Sequence, residues 1–225
     1  MVDEFATEGY QRHNHRRQEH LASLGLSLDK KSVLELGAGV GDHTQFWLDR
    51  GCEVTCVEGR ASNATQLQER HDVEVLVHDL DKFILPIGKK YDIVYAYGVL
   101  YHLHHPRNAL QQWANVCRSM LLLETCVSTD RSEFGIPEDA ACPTASLRGY
   151  KCRPTRHWVY RQLSRLFQHV YMPTTQPDHE EFPTDWNNVQ TDGLTRAVFV
   201  ASRLALPDTL PLVQRVPETQ ERLCE

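Results

Sequence analysis

No apolar run in the 225-residue chain approaches the roughly 20 residues a membrane helix needs. The polar opening MVDEFATEGYQRHNHRRQEH also lacks the apolar segment of a secretory signal. There is no C-x-x-C pair: the seven cysteines (Cys52, Cys56, Cys117, Cys126, Cys142, Cys152, Cys224) are odd in number and scattered. That spacing supports neither a disulfide framework nor a zinc site, so reduced thiols in a cytoplasmic protein are expected. Positive charge is not in excess either. Lys and Arg number 24 against 30 Asp and Glu, a net charge of −6, which gives no global attraction to nucleic acid or to an anionic membrane. Repeats and low-complexity tracts are absent. What remains is an ordinary globular composition, 41% apolar and 24% charged, in a length suited to one sizeable domain.

Apolar runs and helical patterns alternate along that length. Within residues 1–30, Gln11 to Leu24 has helical character and stops at Gly25. SVLELG then reads as a strand and DHTQFWLDRG as a helix, with Asp42 as N-cap and Gly51 as its close. CEVTCVEG, DVEVLVHDL, YDIVYAYGVL and SMLLLETCV read as further strands, with helices ASNATQLQERH and PRNALQQWANVC among them. Residues 128–153 and 174–192 break the rhythm with prolines, glycines and charges and read as loops that cover a substrate. Pro154 to Phe167 is a helical segment, HVYMP a strand, and LTRAVFVASR the last strand. The expected fold is α/β, one doubly wound domain over residues 1–205 with helices on both faces of a mostly parallel seven-stranded sheet. The last strand is expected to be antiparallel, and residues 206–225, with three prolines, to form a loose tail.

In VLELGAGVGDHT, Val33 to Thr44, three glycines stand at alternate positions behind an apolar strand. In an open α/β sheet, ligands bind outside the carboxyl ends of the strands, and the first strand–helix turn lies there. Gly37, Gly39 and Gly41 permit a tight turn and close approach of a ligand to the main chain. The dinucleotide spacing G-x-G-x-x-G is not met, and Asp42 would repel a pyrophosphate at the helix start. The turn therefore suits a nucleoside whose nearby end is positive or neutral. Glu35 agrees, since a carboxylate near the end of a buried strand needs a partner such as a sulfonium or ammonium. Glu58, ending the second strand, is placed to accept two ribose hydroxyls, and Asp79, ending the third, an adenine amino group.

The series ELGAGVG, VEGR, HDL and YDIVYAYGVLYHL resembles the motifs of class I S-adenosylmethionine-dependent methyltransferases, over about Val33 to Val127. The resemblance implies a Rossmann-like sheet and S-adenosyl-L-methionine as cofactor. It sets Glu35 at the cofactor's amino group, often through water, and Gly37 to Gly41, with Ala38 and Gly39 between, along its methionine part, with Thr44 also among the cofactor-binding residues. Glu58 would hold the ribose, with Gly59 and Arg60 of the same motif also cofactor-binding, and His78, Asp79 and Leu80 would meet the adenine. Tyr97 and Gly98 would pass beside the methyl donor.

Beyond them lie Tyr101, His102, His104 and His105. Transfer to oxygen needs a positioned acceptor and a group that removes its proton, and His102 is the first candidate base. His104 and His105, beside Pro106, read as solvated loop residues. Glu124, at the end of the fifth strand, faces the site and needs a hydroxyl, an amine, a metal or an arginine as partner. In TTQPDHEEFPTDW, His179 among Asp178, Glu180 and Glu181 is a second candidate for substrate contact or base. That loop could also hold Mg²⁺ with sugar hydroxyls, as some sugar O-methyltransferases do. GVLYHL, LLLET, CRPTRHWVYRQLSRLFQHV and TTQPDHEEFPTDW further resemble tRNA wobble-uridine methyltransferase-like sequences. The chain departs from them in its short stretch before the first strand and its acidic charge. The expected acceptor is therefore a small polyhydroxylated molecule, a saccharide or sugar-bearing metabolite, rather than nucleic acid. A tRNA or RNA methyltransferase and a non-catalytic cofactor-binding subunit are the alternatives. No membrane partner is expected, and the state is a monomer or homodimer.

Overall fold

The rhythm of strands and helices is present in the computed structural model, which describes residues 4–142, 144–189 and 193–223. A short 3-10 turn, Glu4–Ala6, leads into α1, Glu8–Ser23, capped by the Thr7 hydroxyl, which accepts the Tyr10 N–H. Next come β1 (Ser32–Leu36), α2 (Thr44–Leu48), β2 (Glu53–Glu58), α3 (Ala61–Arg70), β3 (Glu74–Val77) and β4 (Tyr91–Tyr97). A second 3-10 turn, Leu100–His102, precedes α4 (Pro106–Val116) and the long β5 (Cys117–Val127). The remainder is β6 (Glu133–Pro137), β7 (Tyr150–Arg153), α5 (Arg156–Ser164), β8 (His169–Pro173), β9 (Thr175–Gln176), β10 (Thr195–Ser202), β11 (Leu212–Val213) and β12 (Glu221–Arg222).

The main sheet runs β11-β8-β10-β5-β4-β1-β2-β3. Pairing is parallel from β3 through β2, β1 and β4 to β5, and antiparallel from β5 through β10 and β8 to β11. The sheet thus has eight strands where seven were expected, the extra one coming from the C-terminal segment. Successive residues of one strand feed opposite faces. Leu34, Val94 and Leu121 pack with Leu110 and Trp113 of α4 and Val159 of α5. Val33, Ile93 and Leu122 pack with Leu21 of α1, Trp47 beside Phe46 of α2, and Leu67 of α3. Two covered faces explain the unbroken apolar runs in these strands.

Three local expectations are corrected. Asp42 does not cap α2; its carboxylate turns to Arg70 at 3.0 Å and to the amides of Gln11 and Asn14, and α2 begins later at Thr44. Residues 128–153, expected as a loop, contain the β6–β7 hairpin. The C-terminal segment is not loose. Leu212 and Val213 pair with Pro173 and Met172, and the Gln220 side chain donates to Pro173 O and accepts from Gln176 and Trp186. Its prolines serve as acceptors: Pro211 O takes the Thr174 N–H and Pro217 O the Arg156 guanidinium.

Candidate active site

After β1 the chain builds outward to β2 and β3, then crosses back to β4. Strand order therefore reverses between β1 and β4, and the carboxyl ends there frame a crevice. A cleft of about 540 Å³ occupies it, within the range of a small-molecule site. Gly37, at φ +68°, turns the chain off β1, and a Cβ there would lie 2.5 Å from Val99. Gly59 is bound by space rather than by φ: its Cβ would meet Leu147 at 2.4 Å.

Of the residues expected at the cofactor site, the cleft is lined by Gly37, Gly39, Glu58, Gly59, Arg60, His78, Asp79, Leu80, Tyr97 and Gly98. Glu58 is 7% exposed and ties the crevice together, accepting the Gly39 N–H at 2.9 Å and the Arg60 N–H at 2.8 Å. Asp79 accepts from Arg148 at 2.7 Å and from the Asp81 N–H. His78 presents a buried Nε2 without a partner.

Glu35, Ala38, Gly41 and Thr44 do not line the cleft. The Glu35 carboxylate lies beneath the turn, 2% exposed, and accepts the Thr44 hydroxyl at 2.8 Å and the Cys56 thiol at 3.6 Å. Burial pushes its carboxyl up to about 7 against those two hydrogen bonds. The protein partners of Glu35 are thus Thr44, at the start of α2, and Cys56 of β2.

Sequence reasoning missed the wall formed by α1. Tyr10, His13 and Arg17 of α1 line the cleft, with Phe5 of the preceding 3-10 turn, and Arg196 of β10 joins them. Arg17 and Arg196 grip Glu124 from two sides, at 2.7 and 3.1 Å, and Glu124 is fully buried. Glu124 does not itself line the cleft; of the partners expected for it, arginine is the one present, and it holds two guanidinium groups that do face the cleft. Arg196 also binds Glu181 and lies 3.5 Å from the Tyr101 hydroxyl. Arg17 bonds Asn14, and its Nε is buried without a partner. The signal in the sequence was a polar stripe, His13, Asn14, Arg17 and His20, at helical spacing on the face that also carries Leu21, all of them buried.

His179 lies in the cleft wall, 7% exposed, its ring stacked on His13 at 4.7 Å. Burial lowers the pKa of both imidazoles. The acids around His179 are engaged by arginines, Glu180 with Arg12 and Asp178 with Arg16 of α1, and Glu181 with Arg196 of β10, so the loop is tied to both elements. These carboxylates dock the loop, and among the described residues no group of three or more His, Cys, Asp or Glu is placed to hold a metal ion. Residues 190–192, the end of the expected covering loop, lie outside the described residues.

A second cavity of about 220 Å³ shares Tyr101, His102, Thr144, Ala145 and Leu194 with the cleft. Glu138 and Lys151 of the hairpin segment complete it, with Cys126 and Arg153. His102 Nδ1 is 3.3 Å from Glu138, which also accepts the Ser146 N–H at 2.9 Å and Lys151 at 3.2 Å. Burial lowers the His102 pKa and Glu138 offsets part of that, so the ring is neutral at pH 7. Burial raises the Glu138 carboxyl, but the bonds from His102 and Ser146 outweigh it and hold it at about 2. A neutral imidazole fixed by a carboxylate at one nitrogen can accept a proton at the other. His104 is exposed, and His105 packs on Phe83 outside the cleft.

Comparison with known proteins gives this architecture relatives. Residues 34–119 match the model of a methyltransferase domain. The tRNA U34 carboxymethyltransferase of Colwellia psychrerythraea is 32% identical over 189 residues, 78% of this chain and 56% of that protein. The enzyme of the same description from Photobacterium profundum is 33% identical over 109 residues, 44% of this chain and 33% of that one. The chain thus spans about half, or less, of the length of these curated relatives. Among solved structures, the N-terminal domain of EvdMO1, crystallised with S-adenosylhomocysteine and D-fucose, superposes with a TM-score of 0.62 at 18% identity, covering 87% of this chain and 84% of that one. An S-adenosylmethionine-dependent methyltransferase from Mesorhizobium loti gives 0.61 at 15% identity, covering 84% and 98%. Both share the fold. The domain match falls on β1 through α4 and into β5, the part that holds the glycine turn and the acids of the crevice, so this part of the chain is a methyltransferase domain, on the fold shared with S-adenosylmethionine-dependent methyltransferases.

Proposed function

We propose that the chain transfers a methyl group from S-adenosylmethionine to a hydroxyl of a small polyhydroxylated acceptor, a saccharide or sugar-bearing metabolite. The observation that carries the acceptor side is the His102–Glu138 pair on the wall shared by the cleft and the 220 Å³ cavity. The residues of the cleft fit the cofactor. Glu58 has lone pairs left for two ribose hydroxyls after its two backbone bonds, and the unpartnered His78 Nε2 and the Asp79 carboxylate can meet an adenine edge. Arg17, whose Nη1 lies beside Gly98 and whose Nε has no partner, would hold the carboxylate of the methionine part. When bound, S-adenosylmethionine supplies an electrophilic methyl group on a sulfonium.

The protein's own residues do the rest. Glu138 accepts the His102 Nδ1–H and so leaves the lone pair on Nε2, the atom that takes the acceptor's hydroxyl proton. The 128–153 segment and the His179 loop close the site against water, which strengthens every charge interaction inside it. Cytoplasmic location accords with the six described cysteines, all free thiols, and with the absence of any helix among the described residues long and apolar enough to cross a membrane.

A second reading, transfer of a carboxymethyl group to a tRNA uridine as the curated relatives are described to do, is favoured by one observation. Arg196 is buried within 3.5 Å of the Tyr101 hydroxyl and would give a carboxylate on the transferred group a cationic partner. Methyl-labelled S-adenosylmethionine with a saccharide panel, and separately its S-carboxymethyl analogue, labelled in the transferred group, with bulk tRNA, decide between them. Label in low-mass polyhydroxylated products supports the first reading. Label in tRNA alone overturns it.

A further inference from the structure

Arg153 stands apart from the other arginines. Among the described residues it is the one arginine that is less than fully exposed and makes no hydrogen bond or ion pair through its side chain. Its peers are satisfied: Arg17 and Arg196 by Glu124, Arg60 by three carbonyls, Arg156 by Pro217 O and the Trp186 ring, Arg203 by Leu166 and Ala114 carbonyls. Arg153 is partly shielded rather than buried, and a guanidinium held against a cavity wall gains from an acceptor there. Arg153 lacks one, and it lines the 220 Å³ cavity beside His102.

The other charges of that cavity are accounted for. Lys151 is bound to Glu138 at 3.2 Å, and Glu138 is further engaged by His102 and the Ser146 N–H. Asp139 is an exposed rim residue whose carboxylate takes the Ala141 N–H. The Arg153 fork is left with its donors unspent, and that planar fork matches a carboxylate or a phosphate with paired hydrogen bonds. At about 220 Å³ the cavity is below the roughly 300 Å³ at which drug-sized pockets begin, which suits a single ring bearing one such group.

We propose that this cavity reads an anionic acceptor: Arg153 clamps a carboxylate or phosphate on the molecule whose hydroxyl is presented to His102. The proposal rests on the methyl-transfer reading above and narrows its acceptor class to hydroxylated anions. The anion could belong to a free sugar acid or sugar phosphate, or to a nucleotide, and the chemistry at Arg153 is the same.

The test uses the full chain saturated with S-adenosylhomocysteine and labelled with ¹⁵N-arginine. The Arg153 Nε–H resonance is assigned by its loss in Arg153→Gln and followed during titration with inorganic phosphate, then acetate. A saturable shift at Arg153 is expected, with affinity read at the His102 ring falling about 10-fold or more in Arg153→Gln and recovering in part in Arg153→Lys. Glucuronate against glucose, and uridine 5′-monophosphate against uridine, then separate a sugar anion from a nucleotide, the charged member of one pair binding more tightly. An Arg153 resonance indifferent to both phosphate and acetate, in protein that binds S-adenosylhomocysteine, overturns this inference alone. Failure to bind S-adenosylhomocysteine overturns the underlying reading as well.

Discussion

Replacing Glu138 by Gln keeps the shape of the side chain and removes its charge. The two side chains of the His102–Glu138 pair are each 16% exposed and lie 3.3 Å apart. At an effective dielectric near 20, an imidazolium–carboxylate attraction at that distance is of order 5 kcal/mol before desolvation and the opposing charges of Lys151 and Arg196 are set against it. A remainder of about 1–2 kcal/mol is about one pKa unit. The sign follows from the chemistry. Glu138 favours the protonated imidazole, so its loss lowers the His102 pKa, and the active form is the neutral ring. In the wild type, kcat/KM should rise with pH through an ionisation below the ordinary histidine value of about 6.5, because burial already lowers it. In Glu138→Gln that limb should move about one unit further toward acid, while the plateau falls because the base is weaker and its tautomer is no longer fixed. The His102 ring resonance gives the same pKa shift without any acceptor. His102→Ala should remove the limb and lower kcat by about 10²-fold with S-adenosylhomocysteine affinity within about threefold. A limb that stays in place or moves toward alkali in Glu138→Gln would refute the pairing, and a limb that survives His102→Ala would refute the base.

Further outcomes follow from the same geometry. Glu58→Ala should weaken S-adenosylhomocysteine by about 2–3 kcal/mol, roughly 30- to 150-fold, because ribose hydroxyls and the Gly39 and Arg60 N–H groups lose their acceptor; calorimetry showing a change under twofold counts against the assignment. Glu35 has its folded pKa raised to about 7, so the stability it contributes is complete below its unfolded value and is lost as pH rises through about 7. Glu35→Gln should therefore gain on the wild type between pH 5 and pH 8, by a shift of order 3 kcal/mol in denaturant unfolding, and parallel pH curves would contradict it. Glu124→Gln leaves two buried guanidinium groups under-compensated and should cost about 3–5 kcal/mol, seen as a fall in Tm of roughly 6–20 °C; an unchanged Tm would show that the pairs contribute nothing net.

The parts of this molecule legible in the sequence were those whose signals are local. Alternating runs marked β1 to β5, and the glycines with Glu58 and Asp79 marked the crevice, because strand ends and tight turns leave imprints within a few residues. Contacts between distant segments left none. Arg17 reaches Glu124 across more than a hundred residues, and a stripe of polar residues on α1 reads as a solvent face until it is seen against β10. Glu35 was legible as a buried acid, but its partner Thr44 could not be told from a ligand. Glu138 sat in a stretch that read only as loop, since the short hairpin strands Glu133–Pro137 and Tyr150–Arg153 carry no long alternation. The tail misled through its prolines, which reduce donors and yet accept bonds as well as any carbonyl.

The most direct test of the central claim is a crystal structure of the full chain with S-adenosylhomocysteine. The account predicts the nucleoside between Glu58 and Asp79, both ribose hydroxyls on the Glu58 carboxylate, and the homocysteine passing Gly37 toward Tyr97 and Gly98, its carboxylate on Arg17. An unfilled crevice at saturating ligand, or a nucleoside bound away from Glu58, would contradict it.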